Sequence, residues 1–127
     1  MVSKKKKLPE AAENLSEALK QYAAKESELN FLTVAKAFEI AIEYVWRELK
    51  RLVEDQGLEA PSPRMAIKQA AKLGLITDPE TWLACLEARN NSVHDYFGIS
   101  QSEYVDLARQ LVDLIQRSSF FTSSFQR

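Results

Sequence analysis

FLTVAKAFEIAIEYVWRELKRLVEDQ, residues 31–56, is the stretch that decides the fold class. Phe31, Val34, Phe38, Ala41, Ile42, Val45, Leu49, Leu52 and Val53 recur at spacings of three and four. That is the period of one face of an α-helix, not the alternation of a strand. Lys36, Glu39, Glu43, Arg47, Lys50 and Glu54 fill the other side. Glu43–Arg47 and Lys50–Glu54 stand four apart, the spacing at which opposite charges meet along a helix. Gly57 follows as a C-terminal stop.

Working outward, the same grammar repeats. Toward the N-terminus, residues 9–25 form a helical segment with Pro9 in its first turn and Leu15, Leu19 and Tyr22 on one face. Residues 27–30 are a polar break in which Asn30 is a candidate cap for the long helix. Toward the C-terminus, residues 59–61 are a short connector. Ser62 caps a third helix, Pro63 occupies its first turn and Gly74 ends it. Thr77-Asp78-Pro79-Glu80 reads as a capping box that opens a fourth helix running to about Phe97. The fifth runs from about Ser102 to Arg117 on a stripe of Tyr104, Leu107, Leu111, Leu114 and Ile115. No segment reads as a strand. The predicted fold is all-α, an antiparallel up-and-down bundle of four or five helices with short connectors. Three regions are expected: a basic tail over 1–8, the bundle over 9–117, and a tail over 118–127. The last holds Phe120, Phe121 and Phe125 among serines, set to pack on the bundle or on a partner.

Composition narrows the chemistry. The 127 residues carry 17 basic and 18 acidic side chains, with only 3 Gly and 4 Pro. That suits a single domain rich in long helices. No apolar run is long enough for a bilayer, and no apolar core of a signal peptide follows the first lysines. Four of the 17 basic residues are Lys4 to Lys7, so residues 8–127 hold 13 basic against 18 acidic. The body is acidic and the N-terminal arm is basic, as a solubilising tail or as an arm for nucleic acid. The lone Cys85 cannot form an internal disulfide, which fits the cytoplasm, and reads as a small core residue. With His94 as the single histidine, an internal Cys/His metal site lacks its ligands, and no metal or cofactor is expected.

The fourth segment carries the reactive residues. Its sequence from Trp82 is WLACLEARNNSVHDYF. On a helical wheel with Trp82 at zero, Val93, Leu86 and Phe97 fall near about 20°, 40° and 60°, an apolar stripe. Arg89 and Tyr96 lie on one flank, near about −20° and −40°. Asn90 and His94 lie on the other, near about 80° and 120°. A buried guanidinium requires a partner, for which Glu39 and Glu43 of the long helix are candidates. Two readings of the pair stand together. In one, Arg89 is a structural ion-pair residue and His94 hydrogen-bonds a carbonyl. In the other, both do chemistry, and because about 140° separates them on the wheel, they meet across the two-fold axis of a dimer.

Arg89-Asn90-x-x-x-His94-x-Tyr96 resembles the R-x4-H-x-Y motif of HEPN domains. Its surroundings are similar to the nucleotidyltransferase substrate-binding branch of that family over about residues 10–117: Phe38-Glu39, Glu43, Trp46, Leu49-Lys50, Ser62-Pro63-Arg64, Gly74-Leu75-Ile76, Asp78 and Trp82 precede the motif in order. The resemblance implies a dimeric four- or five-helix bundle encoded beside a minimal nucleotidyltransferase, with which it forms a complex. It also implies, as an alternative activity, a metal-independent endoribonuclease that acts as the toxin of a toxin–antitoxin pair. Arg89 and His94 would then be the catalytic pair, Asn90 their polar support, and Tyr96 the acceptor of AMP by which the nucleotidyltransferase neutralises the toxin. The chemistry is sound in outline. A neutral imidazole can take the 2′-hydroxyl proton of RNA, and a guanidinium can hold the phosphate and its growing charge.

Overall fold

The computed structural model describes residues 7–94 and 100–118, with the side chains of 91–94 outside the description. Five helices follow one another: α1 (Lys7–Ala24), α2 (Glu28–Asp55), α3 (Pro63–Lys72), α4 (Pro79–His94) and α5 (Gln101–Arg117). No strand occurs among the described residues. The protein is the expected all-α helical bundle. None of these helices is long and apolar enough to cross a membrane.

The long helix organises the rest. α2 touches each of the other four helices, and α1, joined to it by three residues, packs most extensively along it. The face read from the sequence is the buried one: Phe31, Val34, Phe38, Ala41, Ile42, Val45, Leu49 and Val53 are buried, and Leu52 is half-buried. It meets Leu15, Leu19 and Tyr22 of α1 and Tyr104, Leu111 and Ile115 of α5 in one continuous core. Aromatic edges lock three helices together. Phe31 lies 6.4 Å from Tyr22 and 5.6 Å from Tyr104, both edge-on, and Phe38 lies 5.0 Å from Tyr104. Such tilted pairs add to the area they remove from water. On the outer side, Glu43–Arg47 and Lys50–Glu54 form at 3.0 and 2.7 Å. Lys50 also donates to the Ala60 carbonyl at 3.0 Å, which ties the connector to the end of α2.

The helix ends follow capping chemistry, with three corrections. α2 begins earlier than expected: Ser27 is its N-cap and accepts from the Asn30 backbone N–H at 3.1 Å. Asn30 serves the preceding helix instead, its Nδ2 donating to the Lys25 and Gln21 carbonyls at 2.8 and 3.4 Å. At α4 the Thr77 capping box does not form. Asp78 takes φ 57°, outside the helix, and α4 starts at Pro79. A residue before proline is kept out of the helical region, and aspartate tolerates the left-handed one. Asp78 Oδ2 accepts from the Thr81 hydroxyl at 2.8 Å. The capping box belongs to α5, where Ser100 and Glu103 exchange bonds and the helix starts at Gln101. α3 is as read, with Ser62 accepting from the Met65 N–H and Gly74 at φ 77° past its end. Phe120, Phe121, Phe125 and Lys4 to Lys6 lie outside the described residues, and Lys7 opens α1.

Candidate functional site

α4 is anchored by its first half. Trp82 is fully buried, and its indole N–H donates to the Thr77 carbonyl at 2.9 Å, so the ring packs without a stranded donor. Cys85 is fully buried with its Sγ 3.8 Å from the Leu107 carbonyl of α5. Burial, and secondarily the charge of Asp78, pushes its thiol up to about 12. A thiol that holds its proton so firmly is a packing group, not a nucleophile. Leu86 and Ala88 complete the buried side.

Of the expected stripe, Trp82 and Leu86 are buried, Val93 and Phe97 lie outside the described side chains, and Cys85 and Ala88 widen the buried face of the first half of α4. With Trp82, Cys85, Leu86 and Ala88 all inside, the inward meridian lies on the Cys85 side of Trp82. Arg89 therefore sits near the middle of the inward face, not on its flank, while Asn90 is exposed. The reason is local: α5 approaches α4 at Cys85 and α2 approaches it at Arg89.

Arg89 is not sealed in the core. Its side chain keeps 34% of its exposure and Glu43 keeps 27%. Arg89 Nη2 donates to Glu43 Oε1 at 3.0 Å, and Nη1 donates to Asn90 Oδ1 at 3.3 Å. Of the two carboxylates considered, Glu43 is the partner, and Glu39 pairs with Lys36 at 3.8 Å. The other oxygen of Glu43 is also occupied: Oε2 accepts from Arg47 Nε at 3.1 Å and lies 3.0 Å from Arg47 Nη2. One carboxylate thus carries a guanidinium on each oxygen, one from its own helix and one from α4. The sequence marked Glu43–Arg47 as an ordinary surface pair and gave no sign that Arg47 shares its partner with Arg89.

Asn90 and Arg89 are thus brought together. His94 is the last described residue of α4, five residues after Arg89; its side chain lies outside the described residues, as do Tyr96 and the expected end of the helix at Phe97. Among the described residues no group of three or more His, Cys, Asp or Glu could hold a metal ion.

A family model described as nucleotidyltransferase substrate binding protein like matches residues 4–122. The chain belongs to that family. No curated protein matches it. The family match takes in all five helices and reaches beyond residues 9–117, into the lysine run and as far as residue 122.

This nucleotidyltransferase substrate binding protein like chain has a second surface beside the charged corner. Leu29, Leu32 and Ile40 of α2 are exposed, at 72%, 45% and 41%. Ala11 and Asn14 of α1 join Leu32, Lys36, Ala37 and Ile40 around a shallow groove of about 420 Å³. Ile40 lies three residues before Glu43, so the apolar row runs into the Arg89–Glu43 pair.

Proposed function

We propose that the chain forms a complex with a minimal nucleotidyltransferase and serves it as a substrate-binding partner. The observation that carries this reading is the family match over residues 4–122. The exposed Leu29, Leu32 and Ile40 of α2 support it, because large apolar side chains beside a groove on a water-facing helix are what a protein partner covers. The test is co-purification with a minimal nucleotidyltransferase from the same genome, the first to try being any that is encoded beside the chain. Wild type is expected to elute with it. A Leu32→Glu/Ile40→Glu variant that stays folded is expected to elute alone. If this variant still binds, or if it changes only the mass of the free chain, the row is not the contact with the nucleotidyltransferase.

One feature favours a second activity. A guanidinium held by Glu43 and Asn90, yet one-third exposed, suits phosphate binding better than core packing. In this reading the chain is a metal-independent endoribonuclease. His94 takes the 2′-hydroxyl proton, the 2′-oxygen attacks phosphorus to give a 2′,3′-cyclic phosphate, and the bond to the 5′-oxygen breaks as that oxygen takes a proton from water. Arg89 stabilises the charge on the phosphoryl oxygens, and Asn90 steadies Arg89. The functional unit is a homodimer, in which the arginine of one copy works with the histidine of the other. The nucleotidyltransferase silences it by transferring AMP from ATP to the Tyr96 hydroxyl, with pyrophosphate leaving. RNA incubated with wild type, Arg89→Ala and His94→Ala is the test: only wild type is expected to cleave. Equal activity in all three sinks the reading. Mass spectrometry after incubation with the partner and ATP is expected to find AMP on Tyr96.

A further inference from the structure

The groove between α1 and α2 has two unlike lips. Its floor is apolar, with Ala11, Leu32, Ala37 and Ile40, and Lys36 is the one charged group among its seven lining residues. Lys36 keeps 74% of its side chain exposed, and its pair with Glu39, at 3.8 Å, is the longest ion pair among the described residues. Glu39 itself does not line the groove. The opposite wall is different. Asn14 of α1 lines it, and Glu10 and Glu17 stand four residues before and three after Asn14, so helical spacing puts all three along one edge. All three are exposed, and neither glutamate is in an ion pair among the described residues. One lip is therefore basic and the other acidic, with apolar side chains between them. From Leu29 to Ile40 the groove side of α2 runs for about 16 Å, three turns of a helix.

We propose that this groove takes an amphipathic helix of the nucleotidyltransferase, with its apolar ridge on the floor, carboxylates toward Lys36 and cations toward Glu10 and Glu17. This deepens the proposed partnership and rests on it. A helix is the fitting shape, because a groove between two helices is filled by side chains spaced three and four apart. A strand would need a sheet edge to join, and none exists among the described residues. The ridge comes from another protein, because the apolar faces of α1, α2 and α5 are already turned into this chain's own core. The lips also fix the direction of the guest. A helix laid in the groove the other way round brings its carboxylates against Glu10 and Glu17 and its cations against Lys36, and like charges oppose that arrangement.

The test is titration of the full chain with a purified minimal nucleotidyltransferase from the same genome, across a series of salt concentrations. Wild type is expected to bind, with an affinity that falls as salt screens the lips. Lys36→Glu/Glu17→Lys exchanges the lip charges at constant net charge and leaves the floor intact. It is expected to lower affinity about tenfold or more and to lose most of the salt dependence. Lys20→Glu/Glu13→Lys makes the same exchange on the outer side of α1 and is expected to bind as wild type does. All four positions are exposed, so the variants keep the fold. Hydrogen exchange of the complex is expected to show protection along the groove and in one helical segment of the nucleotidyltransferase. Protection of a loop or strand there instead overturns the helix. If the exchanged lips bind like wild type while Leu32→Glu/Ile40→Glu does not, the charge matching is wrong and the partnership stands. If both variants bind like wild type, the groove is not the contact, and again the partnership stands. If the exchange alters only the mass of the free chain, the occupant is a second copy and the assignment to the nucleotidyltransferase is overturned. If wild type does not bind the nucleotidyltransferase at all, the partnership falls and this inference falls with it.

Discussion

The two halves of α4 differ in what they are built to do. The first half, from Pro79 to Ala88, puts Trp82, Cys85, Leu86 and Ala88 inside and satisfies its polar atoms locally, as the Trp82 indole does at Thr77. The second half places Arg89 on the same inward side but leaves it one-third exposed, tied to Glu43 on another helix and to Asn90. One half fixes the position of the helix; the other uses that position to present a charge. Stability and function are therefore expected to separate along a single helix.

The largest effect that could break this division is at Trp82. Trp82→Ala empties a fully buried site and is expected to destabilise the fold by about 3–5 kcal/mol, measured by urea unfolding. A change below about 1 kcal/mol would mean that the first half of α4 does not anchor the helix.

The next prediction concerns pH and Cys85. The folded protein holds this proton more tightly than the unfolded chain, whose thiol titrates near 9.0. Its contribution to stability is complete below pH 9 and is lost as pH rises from there toward about 12. Wild type is expected to lose stability over that range faster than Cys85→Ala, and its native thiol to resist alkylation at pH 8. Parallel stability profiles, or rapid alkylation of the folded protein, would contradict the buried thiol.

Ser100→Ala removes half of the α5 capping box and is expected to cost about 1 kcal/mol. Arg89→Ala is expected to cost no more than about 1 kcal/mol, because a partly exposed ion pair is screened by water. On the proposed ribonuclease reading, its effect falls on RNA cleavage instead. A loss of several kcal/mol would turn Arg89 into a structural residue and erase the contrast between the two halves. Asn90→Ala, at an exposed position, is expected to stay within about 0.5 kcal/mol of wild type.

The fold was legible because α2 repeats one rule over many turns, so errors at single positions do not matter. Its ends were harder. Ser27 and Asn30 are both good N-cap types, and only the nearby carbonyls of α1 decide that Asn30 caps the other helix. Thr77 and Glu80 have the spacing of a capping box, but Pro79 keeps Asp78 out of the helix. Arg89 and its carboxylate could be named in advance, since a guanidinium on an inward face must be paired. The wider buried face of α4 and the third member, Arg47, could not. Both depend on where α2 and α5 approach α4, and an i,i+4 pair looks the same in sequence whether or not a second arginine arrives from another helix.

The most direct single measurement is the mass of the purified species when the chain is co-expressed with the proposed partner, a minimal nucleotidyltransferase from the same genome, determined by size exclusion with light scattering. One species containing both proteins is the predicted result. Two separate species at concentrations well above those in the cell would contradict the proposed partnership.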